Sequence, residues 1–103
     1  MDIKYRNSDS GLTFYVHGEL DEFSASTAKN ILDKIISDNP NSRYAVFDLS
    51  GLSFMDSTGI GLLIGRYKKL KRFSIPAYIQ GAPCGIEKVL ELSGIYEIMP
   101  KVS

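Results

Sequence analysis

Four consecutive residues, Asp56, Ser57, Thr58 and Gly59, are the first candidates for a functional site in this sequence. They supply a carboxylate, two hydroxyl groups and a flexible glycine. They precede an apolar helix pattern, and because Asp, Ser and Thr are preferred at helix N-termini, a plain capping role is the simplest explanation for them. A serine at an exposed helix start can also accept a phosphoryl group, since the positive end of the helix dipole tolerates the added negative charge. We therefore predict Ser57 as a phosphorylation site, with a helix cap as the alternative.

Glycines follow this serine at positions where a helix does not favour them. Gly59 and Gly61 fall in the opening turns of the predicted helix, where each costs about 1 kcal/mol relative to alanine. Gly65 comes four residues after Gly61. This spacing leaves a stripe without side chains, which the backbone of another molecule could approach closely. The pattern predicts a protein-docking surface at which a phosphate on Ser57, adding about −1.5 to −2 charges beside Asp56, acts as a release signal.

Catalysis is less well supported by the sequence. A nucleophilic Ser57 needs a neighbouring base, and the single histidine, His17, is predicted on the polar side of an early strand. The nucleophile-elbow pattern also fails, because Met55 stands where its first glycine belongs. Asp48 and Asp56 flank a predicted loop, but no further residues complete a metal-ligand set. We expect a protein that is not an enzyme and has no cofactor or metal, while anion binding at the helix start stays open as another possibility.

Composition limits the partners and the compartment. The 103 residues suffice for one domain, predicted over residues 1–103, and 12 basic residues balance 12 acidic ones, unlike the basic surface of a nucleic-acid binder. The lone cysteine, Cys84, cannot form an intramolecular disulfide. No apolar run approaches the roughly 20 residues that span a bilayer, and no signal-peptide core follows Met1. We expect a cytoplasmic protein that binds another protein rather than nucleic acid or a membrane.

Strand patterns suggest how the serine is held. Apolar and polar residues alternate over residues 12–20, which predicts a half-buried strand, and residues 3–5 could pair with it as a hairpin across the turn-rich residues 7–11. Residues 44–47 form an apolar run typical of a central strand covered on both faces. Further short strands are predicted at residues 77–79 and 96–98.

Helix patterns alternate with these strands. The first helix follows possible caps at Ser24, Ser26 and Thr27, and the third opens at Pro83 and closes at Gly94. The inward residues predicted for the first helix are Ala28, Ile31, Leu32 and Ile35, and those for the second are Ile60, Leu63, Ile64 and Tyr67. This order predicts an α/β domain, a mixed β-sheet of four to five strands with helices packed on it. Strand ends and the following helix starts gather at one edge of such a sheet, so Asp21 and Ser57 could share a face.

The segment LSFMDSTGIG at residues 52–61, followed by Gly65, Arg66, Tyr67 and Lys68, resembles the signature of the anti-sigma factor antagonists of the stage II sporulation type, within the STAS domain superfamily. Residues 18–21 and 92–95 match further landmarks of that family in the same order. The resemblance covers nearly the whole chain and implies a single STAS domain. Members of the family usually continue into a further helix after the position that corresponds to Ser103.

What the resemblance implies is a partner switch that regulates transcription. In that family an anti-sigma factor, which is also a serine kinase of the histidine-kinase-like ATPase fold, phosphorylates the residue matching Ser57. The unmodified antagonist binds the anti-sigma factor and frees the sigma factor, and a PP2C-type phosphatase reverses the modification. The partner-binding residues expected by positional match and from the glycine pattern are Asp21, Asp56, Ser57, Thr58, Gly59, Gly61 and Arg66. The alternative is a STAS interaction module in another phospho-signalling complex without a sigma factor.

Overall fold

A computed structural model describes residues 1–8 and 10–102; Asp9, in the turn predicted over residues 7–11, and Ser103 lie outside the described residues. Strands and helices largely alternate along the chain, within a radius of gyration of 12.3 Å. The elements are β1 (Asp2–Asn7), β2 (Leu12–Leu20), α1 (Ala25–Asp38), β3 (Ala45–Met55), α2 (Ser57–Arg72), β4 (Ala77–Gln80), α3 (Cys84–Ser93), a 3₁₀ turn (Ile95–Glu97) and β5 (Lys101–Val102). This confirms the predicted α/β class and the opening hairpin.

The described strands form a five-stranded mixed sheet in the order β1-β2-β3-β4-β5. β1 runs antiparallel to β2, and every other neighbouring pair is parallel. The parallel strands step across the sheet in one direction, so right-handed crossovers bring α1, α2 and α3 to the same face. Contacts of α2 with both α1 and α3 agree with this arrangement. The expectation that the central strand is covered on both faces is therefore wrong.

The hydrophobic core lies between the sheet and the helices. Phe14 of β2 and Phe47 of β3 are register partners whose rings stack at 4.8 Å, and Ile79 of β4 continues the same row. The helices cover this row with fully or almost fully buried leucines, Leu32 of α1 and Leu63 of α2 among them. The core thus fixes the positions of the strand ends and of the helix starts beyond them.

Helix α1 differs in detail from its sequence pattern. Ala28, Leu32 and Ile35 are buried as predicted, but Ile31 is 37% exposed and Ile36 is buried instead. The helix itself is as predicted, but the stripe of residues that faces the sheet is rotated relative to the predicted one. Ser24 occupies the N-cap position, yet its side chain makes no capping hydrogen bond to α1.

The inward face of α2 is also rotated from the prediction. Its buried residues are Gly59, Leu62, Leu63, Arg66 and Leu70. Of the predicted stripe, Leu63 is buried, whereas Ile60, Ile64 and Tyr67 are partly buried and pack at the border of the core. None of the helices in the described residues is long and apolar enough to cross a membrane.

Strand β3 is longer than the apolar run that predicted it. It continues through residues 48–55, which the sequence placed in a loop, and it pairs with β2 as far as Met55. Irregularities in this pairing near Ser50, Gly51 and Ser53 break the simple alternation, while Leu49 and Leu52 stay buried. Bulges allow a strand to continue despite such turn-forming residues.

The end of the chain also differs from the sequence prediction. Residues 95–97 form a 3₁₀ turn after Gly94, which has the left-handed φ of 79° that closes α3, so the strand expected at residues 96–98 is wrong. The last of the described strands is β5. Just before it, the carbonyl oxygen of Pro100 accepts a 3.1 Å hydrogen bond from the N–H of Ile79 in β4. Lys101 of β5 also forms an ion pair with Glu87 of α3 at 2.6 Å.

Candidate functional site

Two neighbouring strand ends place the candidate residues at one edge of the sheet. Leu20 and Met55 are the last register partners of β2 and β3, and the N–H of Asp56 approaches the carbonyl oxygen of Leu20 at 3.4 Å. Asp21 directly follows the first of these strands, and Ser57 comes two residues after the second. The structure therefore brings the Asp21 and Ser57 segments together, as the sheet topology predicted.

The polar residues Asp56 and Ser57 have different roles at the start of α2. Asp56 is the N-cap, and its carboxylate accepts a 2.9 Å hydrogen bond from the backbone N–H of Thr58. Its carbonyl accepts from the N–H of Gly59 at 3.0 Å. Ser57 is the first residue of the helix and is exposed, and its hydroxyl forms no hydrogen bond to any other described residue. Since Asp56 does the capping, the Ser57 hydroxyl remains available for modification.

The loop before α1 is organised by Asp21. Its carboxylate accepts hydrogen bonds from the N–H groups of Phe23 at 3.0 Å and Ser24 at 3.1 Å. The Ser24 hydroxyl in turn donates to the carbonyl of Glu19 at 2.9 Å. This turn replaces the side-chain cap predicted for α1 and holds Asp21 partly buried beside the strand ends.

Phe23 is a surface residue that the sequence analysis did not single out. Its side chain is 86% exposed between two acidic neighbours and Ser24. Phe54, at the end of β3, is 46% exposed. The sequence contained one sign of this role: Phe23 is an aromatic residue that fits neither the strand period before it nor the helix period after it. Both rings lie in segments that adjoin Asp21 or Ser57, and they add apolar surface to this edge.

The glycines of α2 divide into two kinds. Gly59 is buried, and a Cβ there would lie 2.4 Å from Cγ of Met55 and 3.3 Å from Cδ2 of Leu20. The prediction that Gly59 belongs to an exposed partner-binding stripe is therefore wrong: its missing side chain lets the helix start pack on the strand ends. At Gly61 and Gly65, a Cβ would meet no described atom within 4 Å other than its chain neighbours and the adjacent backbone of α2. The bare surface of α2 consists of these two positions.

Arg66 is not a surface residue either, which corrects its expected place in the partner-binding surface. It is 7% exposed, and its Nε lies 2.9 Å from Oδ1 of Asp33 in α1, at an angle that makes no hydrogen bond among the described atoms. Burial lowers the pKa of Arg66, and the Asp33 carboxylate partly opposes that effect. Arg66 follows Leu62 and precedes Leu70 by four residues, so the helix period could have placed it inward.

The segments around the site are acidic. Residues 17–28 and 48–65 contain Glu19, Asp21, Glu22, Asp48 and Asp56 but no lysine or arginine. The cations of α2 begin at the buried Arg66 and continue toward its C-terminus. A phosphate on Ser57 would thus enter an environment that already carries negative charge.

The groups considered for catalysis do not converge on Ser57. His17 is exposed and pairs with Gly51 within the sheet, where a Cβ on Gly51 would meet the imidazole at 2.6 Å. Within residues 1–8 and 10–102, no three His, Cys, Asp or Glu side chains are grouped to hold a metal ion. Cys84 begins α3 and is exposed.

Asp48 belongs to a separate polar cluster on the sheet. Its carboxylate accepts from the Ser50 hydroxyl at 2.6 Å and from the side-chain amide of Gln80 at 2.9 Å. Burial tends to raise the pKa of Asp48, but these bonds, together with the Ser50 N–H and the charge of His17, hold it below its ordinary value. This carboxylate therefore remains an anion in the sheet, away from the start of α2.

A family model described as the STAS domain matches residues 2–103, and the chain belongs to that family. Among curated proteins it is 27% identical over 100 residues to an anti-sigma F factor antagonist of Paenibacillus polymyxa, covering 97% of this chain and 85% of that protein. It is 29% identical over 99 residues to anti-sigma-B factor antagonists of Staphylococcus aureus, covering 96% of this chain and 90% of theirs.

The fold is similar to a solved structure of the anti-sigma factor antagonist SpoIIAA in its unphosphorylated form. The TM-score is 0.80 at 21% sequence identity, over 99% of this chain and 89% of that chain. The comparison establishes the STAS fold, in which the five strands and three helices of the described residues take the same arrangement.

Proposed function

We propose that this chain is an anti-sigma factor antagonist controlled by phosphorylation of Ser57. The observation that carries the proposal is an exposed serine at the first position of α2 whose hydroxyl is left free because Asp56 caps the helix. The names of the relatives, antagonists of anti-sigma F and anti-sigma-B factors, support the choice of partner class. In this role the chain is a substrate and binding protein and performs no catalysis of its own.

The partner is an anti-sigma factor that is also a serine kinase of the histidine-kinase-like ATPase fold. In the transfer step, Oγ of Ser57 forms a bond to the γ-phosphorus of ATP held by the kinase, the bond from that phosphorus to the β–γ bridging oxygen breaks, and ADP leaves. The hydroxyl proton passes to the kinase or to water. A PP2C-type phosphatase hydrolyses the phosphoserine and restores the binding form. The cycle belongs to the cytoplasm, where ATP is available.

Release follows from electrostatics and desolvation. The unmodified surface, with Asp21 and Asp56 beside Ser57, favours a partner that presents positive charge. A phosphate adds about −1.5 to −2 charges, and this chain supplies no lysine or arginine in residues 48–65 to receive it. Burying that phosphate under a bound partner costs several kcal/mol when its charge is not fully compensated. Phosphorylation therefore dissociates the complex while leaving the core intact.

The contact surface proposed for the unmodified protein surrounds the start of α2. Asp21, Thr58 and the open side of Gly61 lie on or near the surface there, and the partner backbone approaches where Gly61 has no side chain. Gly59 and Arg66 act from inside the fold, because the first packs against the strand ends and the second against α1. Substitutions at these two positions change the shape of the surface without removing a direct contact.

A phosphorylation assay with the cognate anti-sigma factor kinase and radiolabelled ATP tests the proposal. We expect label on the wild-type chain and none on Ser57→Ala. Ser26→Ala is the matched control, since Ser26 is an exposed serine in the first turn of another helix at the same edge. Label that persists in Ser57→Ala, or that disappears in Ser26→Ala, contradicts the proposal.

A binding titration tests the switch itself. Ser57→Ala should bind the unphosphorylated partner as the wild type does, and Ser57→Asp should bind at least about tenfold more weakly, a difference of about 1.4 kcal/mol. Equal affinity of the two variants refutes the release mechanism. A phosphoserine switch whose partner does not bind a sigma factor identifies the alternative, a STAS interaction module of another signalling complex.

A further inference from the structure

No helix formed by residues 1–8 and 10–102 lies on one of the two faces of the sheet. The open face is defined by the side chains that point away from α1, α2 and α3, namely Asp2, Lys4, Arg6, Thr13, Tyr15, His17, Val46, Asp48, Tyr78, Gln80 and Val102. Sheets made mostly of parallel strands are nearly always covered on both faces. The open face is therefore a surface where a second molecule can pack.

Two of the charged residues on the open face, Lys4 and Asp48, lie in one register row. Lys4 of β1 pairs with Tyr15 of β2, Tyr15 pairs with Asp48 of β3, and Asp48 pairs with Gln80 of β4. A cation and an anion thus lie on opposite sides of β2, each about one strand spacing of 4.8 Å from it. A half-turn about an axis along β2 exchanges the two positions.

The adjacent row combines the cation Arg6 with less polar side chains. Arg6, Thr13, Val46 and Tyr78 are register partners, and Val46 is 8% exposed although no helix of the described chain covers it. Tyr15 and Tyr78 are half-buried on the same face. Aromatic and β-branched side chains of this kind interdigitate when two sheets pack about 10 Å apart.

We infer that the open face binds the open face of a second copy of this chain, related by a two-fold axis parallel to β2. In that arrangement Lys4 of each copy lies opposite Asp48 of the other, and the two Tyr15 rings meet near the axis. Strands of the two sheets then run in the aligned orientation typical of β-sandwiches. The Lys4 and Asp48 positions favour a second copy because they carry opposite charges and face each other across the axis, while Arg6 of each copy lies opposite Val46 of the other.

The expected dimer is weak. Strand spacing makes the five-stranded face only about 20 Å wide, which gives less than the roughly 800 Å² per partner of a stable complex. Asp48 retains its charge near neutral pH because its pKa is lowered, so both ion pairs are present there. The inference does not depend on Ser57, since the open face and the helices lie on opposite sides of the sheet.

Sedimentation equilibrium of the full chain, loaded from about 20 µM to about 1 mM, tests the inference. We expect a reversible dimer for the wild type. Lys4→Glu sets two carboxylates against each other across the interface, and Asp48→Lys sets two ammonium groups together, so each variant alone should dimerise at least about tenfold more weakly. Lys68→Glu, a charge reversal on the exposed side of α2, should leave the dimer unchanged.

Mixing the two variants gives the decisive result. In an equimolar mixture of Lys4→Glu with Asp48→Lys, both inter-copy pairs regain opposite charges, and we expect a heterodimer about as strong as the wild-type dimer. If Asp48→Lys does not fold, Tyr15→Arg, which brings two arginines to the axis, should abolish the dimer. A wild type that is monomeric throughout, a mixture no more associated than its components, or a dimer that survives Tyr15→Arg overturns the inference.

Discussion

Alanine should stabilise the protein at one glycine of α2 but not at another. Gly59 and Gly61 lie two residues apart in the same helix, so both substitutions gain about 1 kcal/mol from the higher helix propensity of alanine. At Gly61 the new Cβ would meet no described atom within 4 Å other than its chain neighbours and the adjacent backbone of α2, and that gain is realised in full. Gly61→Ala should therefore stabilise the protein by about 1 kcal/mol.

At Gly59 the same methyl group meets the core. It would lie 2.4 Å from Cγ of Met55, whose residue is 4% exposed and cannot move into solvent without leaving its packing site. Overpacking of this kind typically costs about 1–3 kcal/mol, which equals or exceeds the helix gain. Gly59→Ala should be neutral to about 2 kcal/mol less stable than the wild type, and about 1–3 kcal/mol less stable than Gly61→Ala.

Urea unfolding followed by far-UV circular dichroism measures both variants against the wild type. A difference of 1 kcal/mol corresponds to roughly 4–8 °C in Tm for a domain of this size, so thermal unfolding gives a second readout. Equal stability of the two alanine variants would refute the reasoning, because it would mean that Gly59 has the same free space as Gly61. Gly61→Ala adds a further contrast, since it should stabilise the fold while weakening partner binding through the proposed contact surface.

Other substitutions test the cap, the buried arginine and the sheet carboxylate. Asp56→Ala removes the acceptor of the Thr58 N–H and should cost about 1 kcal/mol in urea unfolding. Arg66→Met keeps an apolar stem of similar length but leaves the partly buried Asp33 carboxylate without its cation, so it should cost about 1–3 kcal/mol, and Arg66→Ala should cost more because it also loses packing. Asp48 has a pKa in the folded state below the unfolded value of 3.8, so its carboxylate stabilises the fold above that pH and loses this contribution as the pH falls through the folded value. The Tm advantage of the wild type over Asp48→Asn, measured from pH 7 to pH 2, should shrink at the acid end.

The sequence predicted the elements better than their inward faces. Strand β2 was correct because its alternation from Leu12 reflects one buried face. Helix α3 was correct because Pro83 fixes φ at its start and Gly94 adopts the left-handed conformation that ends it. The continuation of β3 to Met55 was missed, since its pairing with β2 depends on bulges and on long-range contacts that a local period does not contain.

At the site, the sequence predicted the roles that depend on neighbouring residues, but it did not predict which residues are buried. The cap and the exposed hydroxyl of Ser57 follow from residue types near one helix end. Whether Gly59 is an open position or a packing contact depends on Leu20 and Met55, which reach it through the fold. The position of Arg66 likewise depends on Asp33 of another helix, because a charged residue is expected at the surface unless a partner is known.

The stepwise order of the sheet has a consequence for biosynthesis. Each strand from β2 onward pairs with the strand made just before it, so no strand waits for a distant C-terminal segment to complete its earlier side. The helix that carries Ser57 ends at Arg72 and can dock on β2 and β3 while the last part of the chain is still on the ribosome. The two residues of β5, the last of the described strands to be made, can then pair with the free edge of β4. The order of synthesis thus matches the order of neighbours in the sheet, so each described strand can pair with its predecessor as soon as it leaves the ribosome.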